Sequence, residues 1–275
     1  MSEIPCPSDK ASKTAIISGG SCGIGLECAR ILCMRGYHVT LLARDEARLD
    51  GARRSILDST GRAVDIRSLD VVNARECEQA ITEIAREAGG VDWLITSAGM
   101  VEPGLFQDIG LDSHRRQMET NYFGSLNLIA PAARIMGKHG GGRITMIASG
   151  AAFLGIAGYS AYAPSKFAVR ALGEILRVEL ASQGISVSVA FPPDTDTPQL
   201  AAENQTRPEI TRRIASGGGV LSARHVAERL IRDAEAGRFM LTPSLLMVAF
   251  GWTHSLYAPF FRNRQHRMLR ALKTK

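Results

Sequence analysis

The sequence predicts an α/β fold built on a doubly wound parallel sheet, and three observations carry that prediction. Short apolar runs alternate with helix-like segments along most of the chain, a glycine-rich turn joins the first run to the first helix, and no repeat or low-complexity linker divides the 275 residues. Such alternation requires a parallel sheet covered on both faces. The length suits one α/β domain, and 45% apolar residues are enough to fill its core.

The first element is Thr14–Ser18, a short apolar run that reads as a buried strand. It leads into Gly19-Gly20-Ser21-Cys22-Gly23-Ile24-Gly25 and then a helix-like run over 26–35. Glycines let a backbone approach a pyrophosphate closely, and the N-terminus of the following helix offers unpaired N–H groups and a positive dipole end. Strand, glycine turn and helix in that order form the Rossmann-type context that gives the motif its meaning. The second strand, His38–Ala43, ends where such a fold selects its dinucleotide. An acidic residue there would bind the free ribose hydroxyls of NAD, which Ala43 cannot do. Arg44 instead offers a guanidinium fork suited to a 2′-phosphate, so NADP(H) is the expected cofactor. Arg44 also fits a solvated position opening the helix that carries Asp45, Glu46 and Arg48.

Further strands are expected at 92–97, 142–149 and 185–191, and helices at Ala74–Ala88, 111–137, 161–182 and 222–236. Residues 194–219 form a long segment without a clear period, expected to be a functional or disordered loop.

The chemistry is concentrated in Tyr162-Ala163-Pro164-Ser165-Lys166, thirteen residues after Ser149. On a helix, a spacing of four places Tyr162 and Lys166 on one face. A free tyrosine, with a pKa of about 10, is a sluggish acid–base group at neutral pH, and a nearby ammonium is one way to lower it. Ser149, at a strand end, is placed to hydrogen-bond the carbonyl oxygen that the phenol protonates. Carbonyl–alcohol redox chemistry is the reading.

Gly19, Gly23 and Gly25 at this spacing, with Asn121, Ser149, Tyr162 and Lys166, make residues 13–241 resemble the short-chain dehydrogenase/reductase family. The resemblance implies that Ser149 and Tyr162 act on the substrate oxygen, that Lys166 holds the nicotinamide ribose and tunes the tyrosine, and that Asn121 orients a water in the proton relay. It places the cofactor against Gly19, Ser21, Cys22, Gly23, Ile24 and Gly25, then Arg44, Asp70 and Val71. The remaining contacts it implies are Ala98, Gly99, Tyr162, Lys166, Pro192, Thr195 and Thr197. Where the family carries Asn-Asn-Ala-Gly, this chain reads Thr96-Ser97-Ala98-Gly99, so a different local geometry is expected at the central strand.

Two further runs, 191–198 (Phe-Pro-Pro-Asp-Thr-Asp-Thr-Pro) and 202–208 (Ala-Glu-Asn-Gln-Thr-Arg-Pro), resemble the 3-ketosphinganine reductase branch of that family. That likeness implies NADPH-dependent reduction of a long-chain amino ketone lipid to sphinganine. A substrate ammonium would then want a carboxylate, with Asp194 and Asp196 the candidates by position; capping and stiffening of the loop is the competing role for both. A reductase of another lipophilic ketone (hydroxysteroid, retinoid or 3-oxoacyl) and a non-catalytic NADP(H)-binding regulator stay open as alternatives. The resemblance also implies a homo-oligomer.

Five cysteines (Cys6, Cys22, Cys28, Cys33, Cys77) lack Cys-x-x-Cys spacing, which disfavours a disulfide framework or zinc site and fits a reducing compartment. The histidines are scattered, and no metal is expected. The first 13 residues are polar and include Pro5 and Pro7, so neither a secretory segment nor an N-terminal anchor is expected. The net charge of +6 resides in residues 262–275, which hold six basic and no acidic side chains. A nucleic-acid partner, which needs a basic face on the folded domain, is therefore excluded from the expectations. Before that tail, residues 240–261 carry no Asp, Glu, Lys or Arg. Pro243 and Pro259 disfavour a spanning helix, leaving a surface-lying or lid-forming segment, with a final packed helix as the alternative. The expected organisation is a reductase domain over 1–241, including a substrate loop at 194–219, and an apolar then basic extension over 242–275. A cytoplasmic protein in peripheral contact with the cytoplasmic membrane face is the expected location.

Overall fold

The strands run β1 (Thr14–Ser18), β2 (His38–Ala43), β3 (Asp65–Ser68), β4 (Trp93–Thr96), β5 (Gly142–Ile147), β6 (Ile185–Ala190), β7 (Thr195–Asp196), β8 (Leu221–Ser222) and β9 (Met240–Leu241) in the computed structural model, which describes residues 13–215 and 219–273. One seven-stranded sheet has the order β3-β2-β1-β4-β5-β6-β9, with every pairing parallel, and β7 pairs with β8 apart from it. The predicted doubly wound sheet is therefore the observed one. Between the strands lie α1 (Gly23–Met34), α2 (Glu46–Thr60), α3 (Ala74–Ala88), α4 (Leu111–Met118), α5 (Gly124–Lys138) and α6 (Tyr162–Glu179). After β6 come α7 (Pro198–Thr206), α8 (Glu209–Ala215), α9 (Ala223–Glu235) and α10 (Leu245–Lys273).

Successive side chains of a strand point to opposite faces, so a sheet with helices on both sides needs strands that are apolar throughout. β1 meets that demand: Ile16 joins the core under α3, α5 and α6, while Ala15 and Ile17 join the core under α1, α2 and α9. Leu94 and its neighbours Trp93 and Ile95 divide in the same way on β4. The edges follow other rules. β3 reads Asp-Ile-Arg-Ser and β9 has two residues, too polar and too short respectively to register as apolar runs, so the structure adds both to the strands the sequence predicts.

Three segments depart from expectation. The helix predicted at 26–35 begins at Gly23, because the glycine turn itself forms its first turn. The helix predicted over 111–137 is one path broken by a π-helical turn at 119–123, which displaces Asn121 from the regular ladder. The described residues of the predicted loop 194–219 are largely helical. Thr197 caps α7 by accepting from the Leu200 N–H at 3.2 Å with Pro198 at the first helical position, and α8 follows one turn later.

The C-terminal segment is a helix packed on the main core, the alternative expected beside a surface-lying or lid-forming segment. Met247 and Phe261 are buried, and Phe250 and Tyr257 lie partly buried beside them. Among the described residues, no helix is long and apolar enough to cross a membrane. The described cysteines (Cys22, Cys28, Cys33, Cys77) are free thiols, and no His, Cys, Asp and Glu side chains come together as a metal set among the described residues. The expectations for the polar N-terminal run and Cys6 concern positions outside the described residues, as does Lys275.

Candidate active site

In a doubly wound sheet the crevice lies at the carboxyl ends of the strands, where the order reverses, which here is between β1 and β4. A cavity of about 510 Å³ opens there. Its wall is assembled from the residues that follow β1, β2, β3, β4, β5 and β6, closed over by α10.

At the β1 end the glycines are required by geometry. Gly19 has φ +66°, and a Cβ on it would lie 2.7 Å from the Ala98 N. A Cβ on Gly25 would lie 2.4 Å from the Gly19 carbonyl oxygen. Gly25, expected among the cofactor contacts, does not line the cavity; its bare Cα lets α1 seat against the turn. Gly19, Ser21, Cys22, Gly23 and Ile24 do line it. No side chain caps the N-terminus of α1, so its first N–H groups remain available to a phosphate. A dinucleotide pyrophosphate fits this cradle.

Arg44 is exposed on the cavity wall and forms no ion pair among the described residues. Arg48, one turn into α2, lies on the same wall and was not singled out in the sequence. Asp70 and Val71 line the cavity after β3, and Ala98 and Gly99 after β4. At the Thr96-Ser97-Ala98-Gly99 turn, the Ser18 hydroxyl accepts from the backbone N–H groups of Ser97 and Ala98, both at 3.2 Å. Thr96 Oγ1 is buried without a hydrogen-bond partner among the described residues.

Ser149, Tyr162 and Lys166 all line the cavity. Tyr162 opens α6, and Lys166, one turn on, donates to the Ile147 carbonyl at 3.0 Å. Its ammonium lies 5.7 Å from the centre of the Tyr162 ring. The expected lowering of the phenol by this lysine is not observed: burial holds the Tyr162 phenol above its ordinary value, with the Ser149 hydrogen bond opposing it and Glu203 and Asp194 adding to the rise. Desolvation outweighs the local polar contacts because the ring is enclosed. The same burial pushes the Lys166 ammonium down to about 8.

Asn121 stands behind the wall rather than in it. Its Oδ1 accepts from the Met100 N–H at 2.8 Å, and its Nδ2 donates to the Met100 carbonyl at 3.0 Å and to Ser165 Oγ at 2.8 Å. That side chain fastens the segment after β4 to α6.

Pro192, Thr195 and Thr197 line the cavity after β6, with Asp194. Asp196 is exposed on β7 and outside the cavity wall, because alternation along a strand turns it away from its neighbour Thr195. Asp194 is ion-paired with Arg207 at 2.7 Å, and Arg207 also donates to Glu203 Oε1 at 2.6 Å. Glu203 is buried and lines the cavity. Sequence reasoning quoted Glu203 and Arg207 only as part of a family-like run; nothing in their spacing revealed that they return to the site.

Comparison with known proteins agrees with this geometry. Residues 13–208 match the family model described as short chain dehydrogenase. The chain belongs to the short-chain dehydrogenase family. Within the curated members of that family, it is 37% identical to 3-dehydrosphinganine reductase of Danio rerio, over 82% of this chain and 69% of that one. It is 32% identical to 3-ketodihydrosphingosine reductase of Dictyostelium discoideum, over 91% and 84%. Among solved structures, a short-chain dehydrogenase from Sphingobium yanoikuyae in complex with NADPH superposes with TM-score 0.76 and 26% identity, over 93% and 95%. A variant of actinorhodin polyketide ketoreductase with NADPH gives 0.78 and 28%, over 86% and 97%.

Proposed function

We infer that this short-chain dehydrogenase uses NADPH to reduce the ketone of 3-ketosphinganine to the alcohol of sphinganine, a step of sphingolipid synthesis. The observation that carries the reading is the identity of 32–38%, over 82–91% of the chain, to reductases of that substrate. NADPH when bound supplies the hydride. The protein's own residues do the rest. In the proposed roles, Ser149 donates a hydrogen bond to the ketone oxygen and Tyr162 gives up its proton there as negative charge develops. A phenol kept protonated by burial suits a proton donor better than a standing phenolate would. Lys166, its ammonium 5.7 Å from the centre of the Tyr162 ring, would hold the nicotinamide ribose, and Arg44 and Arg48 would offer cations to a 2′-phosphate.

The cavity suits a lipid chain at its α10 end, where Leu246, Met247, Phe250, Tyr257 and Phe261 form an apolar wall. Following NADPH oxidation against a panel of ketones tests the reading. Turnover is expected with 3-ketosphinganine, and a steroid or 3-oxoacyl ketone that is reduced far faster overturns it.

We further propose that the protein lies at the cytoplasmic face of a membrane, held by the outer face of α10. Leu245, Trp252, Leu256 and Phe260 are all exposed there. A self-associated form is also proposed, favoured by the outer face of α6, where Phe167, Ile175 and Val178 are exposed; light scattering checks it.

A further inference from the structure

Next to Tyr162 the cavity wall carries two carboxylates, Asp194 and Glu203, fixed by one guanidinium behind it, with the Lys166 ammonium as a further cation in the wall. The Tyr159 ring lies 5.3 Å from that of Tyr162, centre to centre, and its hydroxyl donates to Glu203 Oε1. Arg207 donates to the same oxygen through Nε at 2.9 Å and Nη2 at 2.6 Å. Its guanidinium also spans Asp194, with Nη1 to Oδ2 at 2.7 Å and Nη2 to Oδ1 at 3.2 Å. Two carboxylates therefore share one guanidinium.

The burial of the group makes that imbalance informative. The Arg207 side chain is 3% exposed and that of Glu203 8%. A single carboxylate on Arg207 would tie the end of α7 to the turn after β6 without leaving a net charge. A second one leaves the cluster itself with an excess negative charge: Asp194 is 23% exposed and partly solvated, but the buried Glu203 carboxylate faces the cavity, where a ligand cation would be favoured beside it. The arrangement also shows where that cation would sit. Arg207 itself does not line the cavity, whereas Tyr159, Tyr162, Asp194 and Glu203 do. The three hydrogen bonds that Glu203 accepts all fall on Oε1, leaving Oε2 to accept from a ligand. The electrostatic reach of the cluster extends to the reacting centre, since Glu203 and Asp194 both hold the Tyr162 phenol up while Arg207 opposes them.

We propose that Glu203 binds the ammonium next to the ketone of the substrate, with Arg207, Asp194 and Tyr159 as positioning residues that fix its carboxylate. The inference rests on the reading of the substrate as a long-chain amino ketone. It replaces the expectation that Asp194 or Asp196 would meet the amine directly: Asp196 faces away, and Asp194 is engaged by both ends of the Arg207 fork. An amine held beside Tyr162 would orient the adjacent ketone toward the phenol and would discriminate against ketones that lack the charge.

The test compares 3-ketosphinganine with the same hydroxyketone carrying hydrogen in place of the amine, both in mixed micelles with NADPH. Glu203→Gln is expected to lower kcat/KM for the amino ketone by at least about tenfold, the scale of one charge-assisted hydrogen bond, mostly through KM. The loss on the amine-free ketone is expected to be several-fold smaller. Equal losses on the two ketones would return Glu203 to a structural tie and overturn the assignment. Inhibition of the unaltered enzyme by hexadecylamine and by hexadecanol gives a second reading that needs no variant. The amine is expected to compete at least about tenfold more strongly, and parity between the two overturns the assignment even if Glu203→Gln fails to fold. Failure of the substrate reading itself would look different, as an unaltered enzyme that reduces the amine-free ketone and leaves 3-ketosphinganine untouched.

Discussion

Tyr162 and Lys166 are set by burial as much as by spacing. Tyr162→Phe removes the hydroxyl and keeps the ring, so turnover is expected to fall roughly 10²- to 10⁴-fold, the scale of one general acid, with NADPH binding retained by fluorescence titration. Lys166→Met is expected to abolish most turnover and to raise stability. Burial holds the ammonium at about 8, below the ordinary lysine value of 10.5, so in the cofactor-free protein the buried charge costs about 3 kcal/mol at pH 7. The folded state loses this proton before the unfolded chain does, so the parent gains stability as pH rises from about 8 toward 10.5. The advantage of Lys166→Met in thermal melts should therefore shrink across that window; an advantage that is absent at pH 7, or that grows with pH, contradicts the burial argument. The residue types and spacings of Ser149, Tyr162 and Lys166 were legible in the sequence because the helix repeat alone brings two of them together. The direction of the Tyr162 shift was not, since it depends on enclosure by parts of the chain far away in sequence. Glu203 was illegible for the same reason, 41 residues beyond Tyr162 with no period linking them.

Elements that announce themselves do so through local rules. The turn after β1 needs Gly19 in a left-handed conformation and Gly25 bare, so strand, turn and α1 could be read together. The helices within 194–219 and the break in the otherwise helical path over 111–137 resisted reading because contacts, rather than an apolar period, mark them. α7 is held by the buried Arg207 ion pairs, and the π turn at Asn121 by hydrogen bonds to Met100 and Ser165. At the β2–α2 junction, Ala43→Asp with Arg44→Ala is expected to move the ratio of catalytic efficiencies toward NADH by at least roughly tenfold, since one charge-assisted bond is worth about 1.5–3 kcal/mol and a like charge replaces it. Arg48 remains on the wall and is expected to retain part of the NADPH preference. Adding Arg48→Ala should therefore extend the shift, and an unchanged ratio in the double variant would remove Arg44 from the cofactor site.

At the scale of the whole molecule, α10 serves two surfaces at once. Its inner face closes the cavity through Met247, Phe250, Tyr257 and Phe261, and its outer face leaves Leu245, Trp252, Leu256 and Phe260 exposed at steps of seven, four and four residues. Such steps recur on one side of a helix. Arg262 and Arg267 follow, also exposed. A helix of this composition is suited to lie in a lipid headgroup layer, its apolar side chains inserted and each nearby arginine adding about 1 kcal/mol on an anionic surface. The cavity mouth would then open where a long-chain lipid resides. Removing residues 262–275 whole is a poor test, because buried Gln265 accepts from the Ala157 N–H at 2.7 Å and donates to the Gly155 carbonyl at 2.9 Å, fastening α10 to the body. Point changes separate the terms. Trp252→Ser with Leu256→Ser and Phe260→Ser should weaken sedimentation with anionic vesicles at both low and high salt. Arg262→Ser with Arg267→Ser should weaken it at low salt and lose that effect at high salt, where the charges are screened. None of these five residues lines the cavity, so reduction of a short soluble ketone should stay within a few-fold of the parent in both variants. If the parent remains in the supernatant under both conditions, the outer face of α10 is a contact for another protein surface and the membrane proposal falls.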